Sequence, residues 1–217
     1  MFPGPLDIGL NKKARDKKLW SLEVVNIRDY SFDKHKTVDD TPFGGGSGML
    51  MRADIVANSL DKNISNNNEP IIFLSPKGKT FDQYYAKKIL NKNINLICGH
   101  FEGIDQRLLE NRNIEEVSVG DFILSGGEIA AFAFIDAIVR LIPGVLGNSS
   151  SLTEETFENN LLEYPQYTKP QIWEEKSVPD VLLSGDHAKI KDWRLAQSKD
   201  ITRRRRPDLW EKYKKDK

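Results

Sequence analysis

Short apolar runs alternate along this chain with longer stretches in which apolar positions recur at helical spacing. The runs Leu22–Ile27, Ile71–Leu74 and Ile94–Cys98 have the length and apolar content of buried parallel strands. Between them, Ala53–Leu60 and Gln83–Leu90 have the pattern of helices. Because strands that alternate with helices favour a parallel sheet, the first part of the chain is predicted to be an α/β domain.

A third, strongly apolar helix is predicted over Glu128–Leu141, and Pro143 with Gly144 ends it. The small polar stretch Gly147–Ser151 that follows is typical of a linker, so we place the domain boundary there. The predicted organisation is a first domain over residues 1–146, a flexible linker over 147–160 and a second domain over 161–217.

The second part of the chain has a helical pattern and little else. Thr153–Leu162 is a candidate for a short helix, and Ser184–Asp186 has the character of a helix start. Ile190 and Trp193 then follow at helical spacing, and Pro207 opens a last short helix. A small helical C-terminal domain is therefore expected.

Charge is balanced over the whole chain of 217 residues, with 32 basic and 32 acidic side chains, but it is unevenly distributed. Glu154–Glu175 carries a net charge of −5, whereas Asp186–Lys217 carries +6. Basic clusters suit phosphate backbones, although most charge runs are only solvated faces. The single cysteine excludes a disulfide framework, and the sequence shows neither a membrane span nor a signal peptide. A cytoplasmic protein is expected.

Glycine clusters follow the predicted strands. Gly44–Gly48 matches neither a P-loop nor a dinucleotide-binding loop, and a flexible turn is its alternative interpretation. Gly99 follows the run that ends at Cys98, and the pair Gly126-Gly127 follows the run Val119–Leu124. Because open α/β sheets bind ligands where their strands end, these glycines indicate a ligand site.

Two further positions have a structural and a functional interpretation. Arg140 comes at the end of an apolar helix, where the helix dipole favours a cation. Glu154 and Glu155 precede Phe157 and fit the first turn of a helix. Taken singly, these residues do not point to a reaction.

Taken together and in order, a series of segments resembles the TrmD family of tRNA (guanine-N1)-methyltransferases. They cover nearly the whole chain, and jointly they are far more specific than any one of them. The matching segments are Asp39–Met49, Leu74–Gly78, Cys98–Asp105, Gly120–Glu128, Arg140 with Pro143–Gly147, Tyr164-Pro165 with Tyr167–Pro170, Leu183–His187 and Trp193-Arg194.

The resemblance implies a SPOUT fold, in which the parallel sheet of the first domain carries a deep C-terminal trefoil knot. It implies that residues 1–146 bind S-adenosylmethionine and form a homodimer, and that residues 161–217 bind tRNA; it implies neither DNA nor a membrane as a partner. Mg²⁺ is a further candidate cofactor, although the sequence contains no cluster of metal ligands. The family has a first strand before the Phe2-Pro3-Gly4 motif, and this sequence begins without it.

The implied reaction moves a methyl group to N1 of the guanosine on the 3′ side of the anticodon. Glu155 stands where the family has an Asp as the base, and Arg140 matches the arginine that stabilises charge on O6. No metal-binding residues are implied. The implied cofactor contacts are Pro76, Gly99, Glu102, Val119, Gly120, Asp121, Phe122, Ile123, Leu124, Gly126 and Gly127.

Two alternatives remain at this point. One is a SPOUT enzyme that methylates ribosomal RNA, against which Tyr167–Pro170 and Ser184–His187 speak. The other is an RNA-binding module without catalysis, which the Glu at position 155 and the missing first strand favour.

Overall fold

The computed structural model describes residues 1–64, 66, 68–147 and 156–216. The chain divides into two compact units, Met1–Gly147 and Asn148–Lys217. This division falls within the range predicted as a linker. Residues 148–155, and with them Glu154 and Glu155, lie outside the described part of the chain.

The first unit is a mixed α/β domain in which helices follow the strands in alternation. Its elements, in chain order, are α1 (Gly9–Asp16), β1 (Asp39–Asp40), β2 (Leu50–Met51), α2 (Ala53–Asn63), β3 (Ile71–Thr80), α3 (Gln83–Ile89), β4 (Asn95–Ile97), α4 (Gln106–Asn111), β5 (Glu115–Ser118) and α5 (Gly127–Val139).

A parallel sheet of three described strands organises this unit, with β3 in the centre between β4 and β5. Ile72 of β3 lies opposite Leu96 of β4 and Glu115 of β5. The strands predicted from Ile71 and from Ile94 are confirmed as β3 and β4, and the α/β class is confirmed with them. The trefoil knot that the resemblance implies is not part of this confirmation.

A bulge in β3 interrupts its pairing with β5. Leu74 and Lys79 both pair with Val117, so the four residues between them bulge out of the sheet. A Cβ atom at Gly78 would overlap the backbone of Glu116, and only glycine fits there. Pro76 therefore lies in a bulge whose two ends both pair with Val117 of β5.

The core fills both faces of the sheet. Phe73 of β3 packs with Ile97 of β4, with Val56 of α2 and with Leu108 of α4. Neighbouring residues of β3 point to the opposite face, where α5 contacts β3 and α3. There Phe134 is fully buried, and its ring centroid lies 4.6 Å from that of Phe81.

The three helices predicted for this unit begin within one residue of their predicted starts, whereas α1 and α4 were not predicted. α3 starts after Asp82, whose carboxylate accepts a hydrogen bond from the backbone N–H of Tyr85 at 2.8 Å, as expected of an N-cap. α2 starts at Ala53, as predicted. α5 matches the predicted Glu128–Leu141 to within two residues, and Gly126 precedes it without a side-chain cap.

The strand predicted over Leu22–Ile27 is wrong. This segment forms no strand, Ile27 begins a 3-10 turn, and the side chain of Val24 is 56% exposed. A groove of about 1690 Å³ is lined on one side by this segment and on another by β4, with Phe134 and Ile138 of α5 also in its wall. The groove separates the segment from the open edge of β4, so its apolar run pairs with no described strand.

The second unit is mainly helical. Its described elements are a 3-10 turn (Glu158–Asn160), the hairpin of β6 (Ile172–Trp173) and β7 (Lys176–Ser177), and the helices α6 (Asp180–Leu183), α7 (His187–Arg205) and α8 (Pro207–Lys215). The helix start at Asp186 and the last helix from Pro207 are confirmed; the Asp186 carboxylate accepts from the N–H of Lys189 at 3.1 Å.

The helix predicted over Thr153–Leu162 is wrong for the part of it that the structure describes. Phe157, Asn159 and Asn160 all have positive φ angles, between 52° and 77°, which a continuous α-helix does not allow. The N–H of Phe157 instead donates to the carbonyl of Leu161 at 2.8 Å, which closes a tight loop.

Thr202 ties this loop region to α7. Its side chain is completely buried, and its hydroxyl accepts from the N–H of Leu162 at 2.8 Å and donates to the carbonyl of Ser198 at 2.6 Å. The hydroxyl therefore satisfies a backbone donor that has left regular secondary structure.

We expect Thr202→Val to destabilise the second unit by about 1–3 kcal/mol, because the Leu162 N–H would be buried without an acceptor. Thr202→Ser keeps the hydroxyl and is the control, with a smaller cost. Urea unfolding followed by tryptophan fluorescence measures both variants, since Trp173, Trp193 and Trp210 lie in this unit. Equal midpoints for Val and wild type would remove this role of Thr202.

Candidate functional site

Three backbone segments of the first unit meet where β4 ends. The N–H of Glu102 donates to the carbonyl of Met49, and the N–H of Met51 donates to that of Gly103, each at 2.9 Å. On the other side, the N–H of Gly127 donates to the carbonyl of Gly99 at 2.8 Å. The segment from Gly99 to Gly103 is thus held between Met49–Met51, which follow the glycine cluster Gly44–Gly48, and the start of α5.

Gly127 approaches this segment more closely than any other residue type could. A Cβ atom added there would lie 2.8 Å from the Cα of Cys98 and 2.9 Å from the nitrogen of Gly99, both backbone atoms. Glycine at this position is therefore required for α5 to begin directly against the end of β4.

Gly99 has a different reason to be a glycine. A Cβ atom there would overlap the ring of Phe73 in the core. A Cβ atom at Gly48 would likewise overlap the side chain of Glu102. Gly44, Gly45 and Gly46 have room for a Cβ atom, but their φ angles of 89°, 80° and 123° strain any other residue.

The residues from Val119 to Gly126 form a loop between β5 and α5. Their apolar run does not form a strand, because β5 ends at Ser118, whose hydroxyl donates to the carbonyl of Gly120 at 2.9 Å and accepts from its N–H at 3.2 Å. Phe122 and Ile123 of this loop are 54% and 81% exposed. The loop thus presents backbone polar groups and apolar side chains outside the core.

The structure gathers most of the predicted cofactor residues in one region. Gly99 and Glu102 lie in the central segment, and Gly126 and Gly127 contact it directly. The loop from Val119 joins Gly126 to the end of β5, and Pro76 lies in the bulge whose ends pair with Val117 of that strand. Backbone donors and acceptors with exposed apolar side chains suit a flat heteroaromatic ligand that is recognised at its edge and face.

Arg140 does not lie with these residues in the same chain. It follows the last residue of α5, a helix of 13 residues that begins at Gly127. At 1.5 Å of rise per residue, this helix places Arg140 about 20 Å from Gly127. The predicted base, Glu155, lies outside the described residues, so the structure gives no position for it.

Sequence reasoning missed a pair of ionisable side chains in this region. Nε2 of His100 lies 2.7 Å from a carboxylate oxygen of Glu128, in the first turn of α5. The two residues are 28 positions apart, in two separate segments of the sequence, so only the fold reveals their contact. Burial and, less strongly, the nearby Glu128 raise the pKa of the Cys98 thiol to about 12, which keeps this thiol neutral and excludes it as a nucleophile.

Metal ligands and membrane spans do not add to this picture. Among the described residues, no three His, Cys, Asp or Glu side chains converge as a metal site would require. Within the same described ranges, no helix combines the length and the apolar character needed to cross a bilayer.

Known proteins resemble this chain over nearly its whole length. A family model described as tRNA (Guanine-1)-methyltransferase TrmD matches residues 1–212. A curated protein of Pelagibacter ubique (strain HTCC1062), named tRNA (guanine-N(1)-)-methyltransferase, is 68% identical over 216 residues, which cover 99% of this chain and 94% of that protein.

Relatives with the same printed name extend the likeness. The protein of Chelativorans sp. (strain BNC1) is 53% identical, with 97% of this chain and 90% of that protein covered. The protein of Bartonella tribocorum (strain CIP 105476 / IBS 506) is 52% identical, with 100% and 93% covered. With a family model and relatives that match nearly the whole chain, this chain belongs to the TrmD family of tRNA (guanine-N1)-methyltransferases.

Proposed function

We propose that this protein transfers a methyl group from S-adenosylmethionine to N1 of the guanosine on the 3′ side of the tRNA anticodon. Membership of the family supports the reaction, and the relatives' names state methylation of tRNA at N1 of guanine. The observation that carries the proposal is the junction in which Gly127 closes on Gly99, because it assembles the residues that match the family's cofactor contacts.

The described residues fit the cofactor in their chemistry. Gly99, Gly126 and Gly127 keep side chains away from the junction, and the loop from Val119 supplies peptide groups that can pair with an adenine edge. S-adenosylmethionine supplies a methyl group on a sulfonium that is already activated as a leaving group. The protein's own task is then to hold the acceptor base in line and to manage its proton.

N1 of guanine carries a proton and is a poor nucleophile, so a base must accept that proton as the nitrogen attacks. We assign this role to Glu155, which stands where the family has Asp. Its side chain is one methylene longer, and placement errors of about 1 Å can cost roughly 100-fold in rate. Arg140 is assigned to O6, where a guanidinium stabilises the negative charge that grows as the proton leaves.

The separation of Arg140 from Gly127 supports a site built from two copies of the chain. The helix between them spans about 20 Å, which an arginine side chain cannot bridge within one copy. A homodimer in which one copy provides the cofactor segments and its partner provides Arg140 and Glu155 removes this difficulty. We propose this arrangement, together with the trefoil knot of the family in the segment that follows β5.

The second unit is proposed to bind tRNA. Its C-terminal part carries the net charge of +6, and Arg203, Arg204 and Arg205 at the end of α7 are exposed. Asp200 pairs with Arg203 and with Arg204, and Asp208 pairs with Arg206 at 2.6 Å, so acidic neighbours offset part of this charge. Phosphates would exchange with these carboxylates on binding.

Two further points complete the proposal. Among the described residues, no three His, Cys, Asp or Glu side chains converge, and the proposed reaction gives Mg²⁺ no residue of its own. We also propose a cytoplasmic location, because the proposed substrate is tRNA.

The cofactor site is tested by Gly127→Ala. Its new methyl group would press on the backbone of Cys98, which we expect to cost about 1–3 kcal/mol in stability and to weaken binding of S-adenosylhomocysteine by tenfold or more. Calorimetry measures the affinity. The control is Gly147→Ala, because a Cβ atom there meets nothing within 4 Å. Unchanged affinity in Gly127→Ala would mean that the ligand binds elsewhere.

The base is tested by Glu155→Gln, whose amide cannot accept the proton. We expect methylation of a tRNA transcript to fall by about 100-fold or more, while S-adenosylhomocysteine binds as before. Glu155→Asp should remain active. Glu154→Gln is the neighbouring control, and mass spectrometry of the nucleosides is the measurement. A fully active Glu155→Gln would transfer the assignment to Glu154.

The shared site is tested by mixing Gly127→Ala with Glu155→Gln under conditions of subunit exchange. At a cofactor concentration too low for the first variant, each heterodimer should regain one complete site, so methylation returns. Mixing Arg140→Ala with Glu155→Gln should restore nothing if both residues come from the same copy.

Native mass spectrometry confirms that the heterodimers have formed. Absence of recovery in the first mixture would mean that Glu155 acts within its own copy. Recovery in the second mixture would mean that Arg140 and Glu155 reach one site from different copies.

A further inference from the structure

His100 and Glu128 form a side-chain link across the same junction that Gly99 and Gly127 close through the backbone. His100 directly follows Gly99, and Glu128 directly follows Gly127. The backbone bond joins Gly127 to Gly99 at 2.8 Å, and the side chains meet at 2.7 Å. Two adjacent bonds thus connect the end of β4 with the start of α5.

The pair also covers Gly126. A Cβ atom at Gly126 would lie 2.7 Å from a carboxylate oxygen of Glu128 and 3.0 Å from Nε2 of His100. The last residue of the loop that begins at Val119 is therefore packed beneath the pair. Any movement of the two side chains opens space next to this loop.

The contact between His100 and Glu128 lies in a partly buried environment. The side chain of Glu128 is only 22% exposed, whereas that of His100 is 47% exposed. A carboxylate in the first turn of a helix is favoured by the helix dipole, which helps to hold Glu128 in place. Loss of the imidazole would leave this largely buried carboxylate short of a hydrogen-bond donor.

We propose that His100 and Glu128 are a positioning pair that holds the loop from Val119 to Gly126 in the conformation that binds S-adenosylmethionine. The pair acts through the loop and takes no part in methyl transfer. When the loop is not held in place, part of the binding free energy of the ligand is spent on ordering it. The pair reduces this cost and so strengthens binding. This inference rests on the proposed cofactor role of the loop.

The test compares His100→Phe, which keeps a ring but removes the donor, with His100→Gln, whose amide can still donate to Glu128. We expect His100→Phe to weaken binding of S-adenosylhomocysteine about tenfold, the value of one hydrogen bond to a charged group. At saturating cofactor, kcat should be nearly unchanged. His100→Gln should stay close to wild type in both measurements.

The matched control is His35→Phe. His35 is exposed and lies in the same unit, and its backbone N–H donates to Asp33 at 2.7 Å, a bond that survives the substitution. This variant should change neither affinity nor kcat. In a double-mutant cycle, Glu128→Gln combined with His100→Phe should cost less than the sum of the two single changes, since both remove one interaction.

Amide hydrogen exchange of the ligand-free protein separates this inference from the proposed function. Peptides that cover residues 119–129 should exchange faster in His100→Phe than in wild type, and His100→Gln should restore protection. Unchanged exchange in His100→Phe overturns the positioning pair. If wild-type protein fails to bind S-adenosylhomocysteine, the cofactor assignment falls instead, and the exchange data still decide whether the pair holds the loop.

Discussion

The contact between Gly127 and the end of β4 is the constraint on which the rest of the first unit depends. A helix can begin against a strand at backbone distance only when its first residue has no side chain. That single contact fixes where α5 starts, and α5 in turn carries Phe134 into the core. The same contact sets the end of the loop from Val119, so core packing and the proposed cofactor site share one geometric origin.

The chemical roles proposed for the site are divided between an earlier and a later part of the chain. The segments around Gly99 contribute peptide groups and shape, together with the side-chain pair of His100 and Glu128. The side chains assigned to proton transfer and charge stabilisation, Glu155 and Arg140, come later in the sequence. The length of α5 separates Arg140 from Gly127, and this distance supports the proposal that a second copy of the chain completes the site.

The sequence predicted the elements whose signal is local, and it failed where the outcome depends on neighbours. α3 and α7 begin at the expected caps because Asp82 and Asp186 bond to backbone N–H groups three residues ahead. β5 was missed because Glu115 and Glu116 give it no apolar run. Leu22–Ile27 has such a run but lacks a partner strand, which periodicity cannot reveal.

β4 forms the edge of the described sheet on the side of the large groove. An edge strand offers a row of backbone donors and acceptors, and an apolar wall beside it rewards any strand that docks there. Native proteins blunt such edges with charges or proline, but β4 consists of Asn95, Leu96 and Ile97. Within the described residues, β4 thus combines an open backbone edge with an apolar wall, the two features that favour the docking of a further strand.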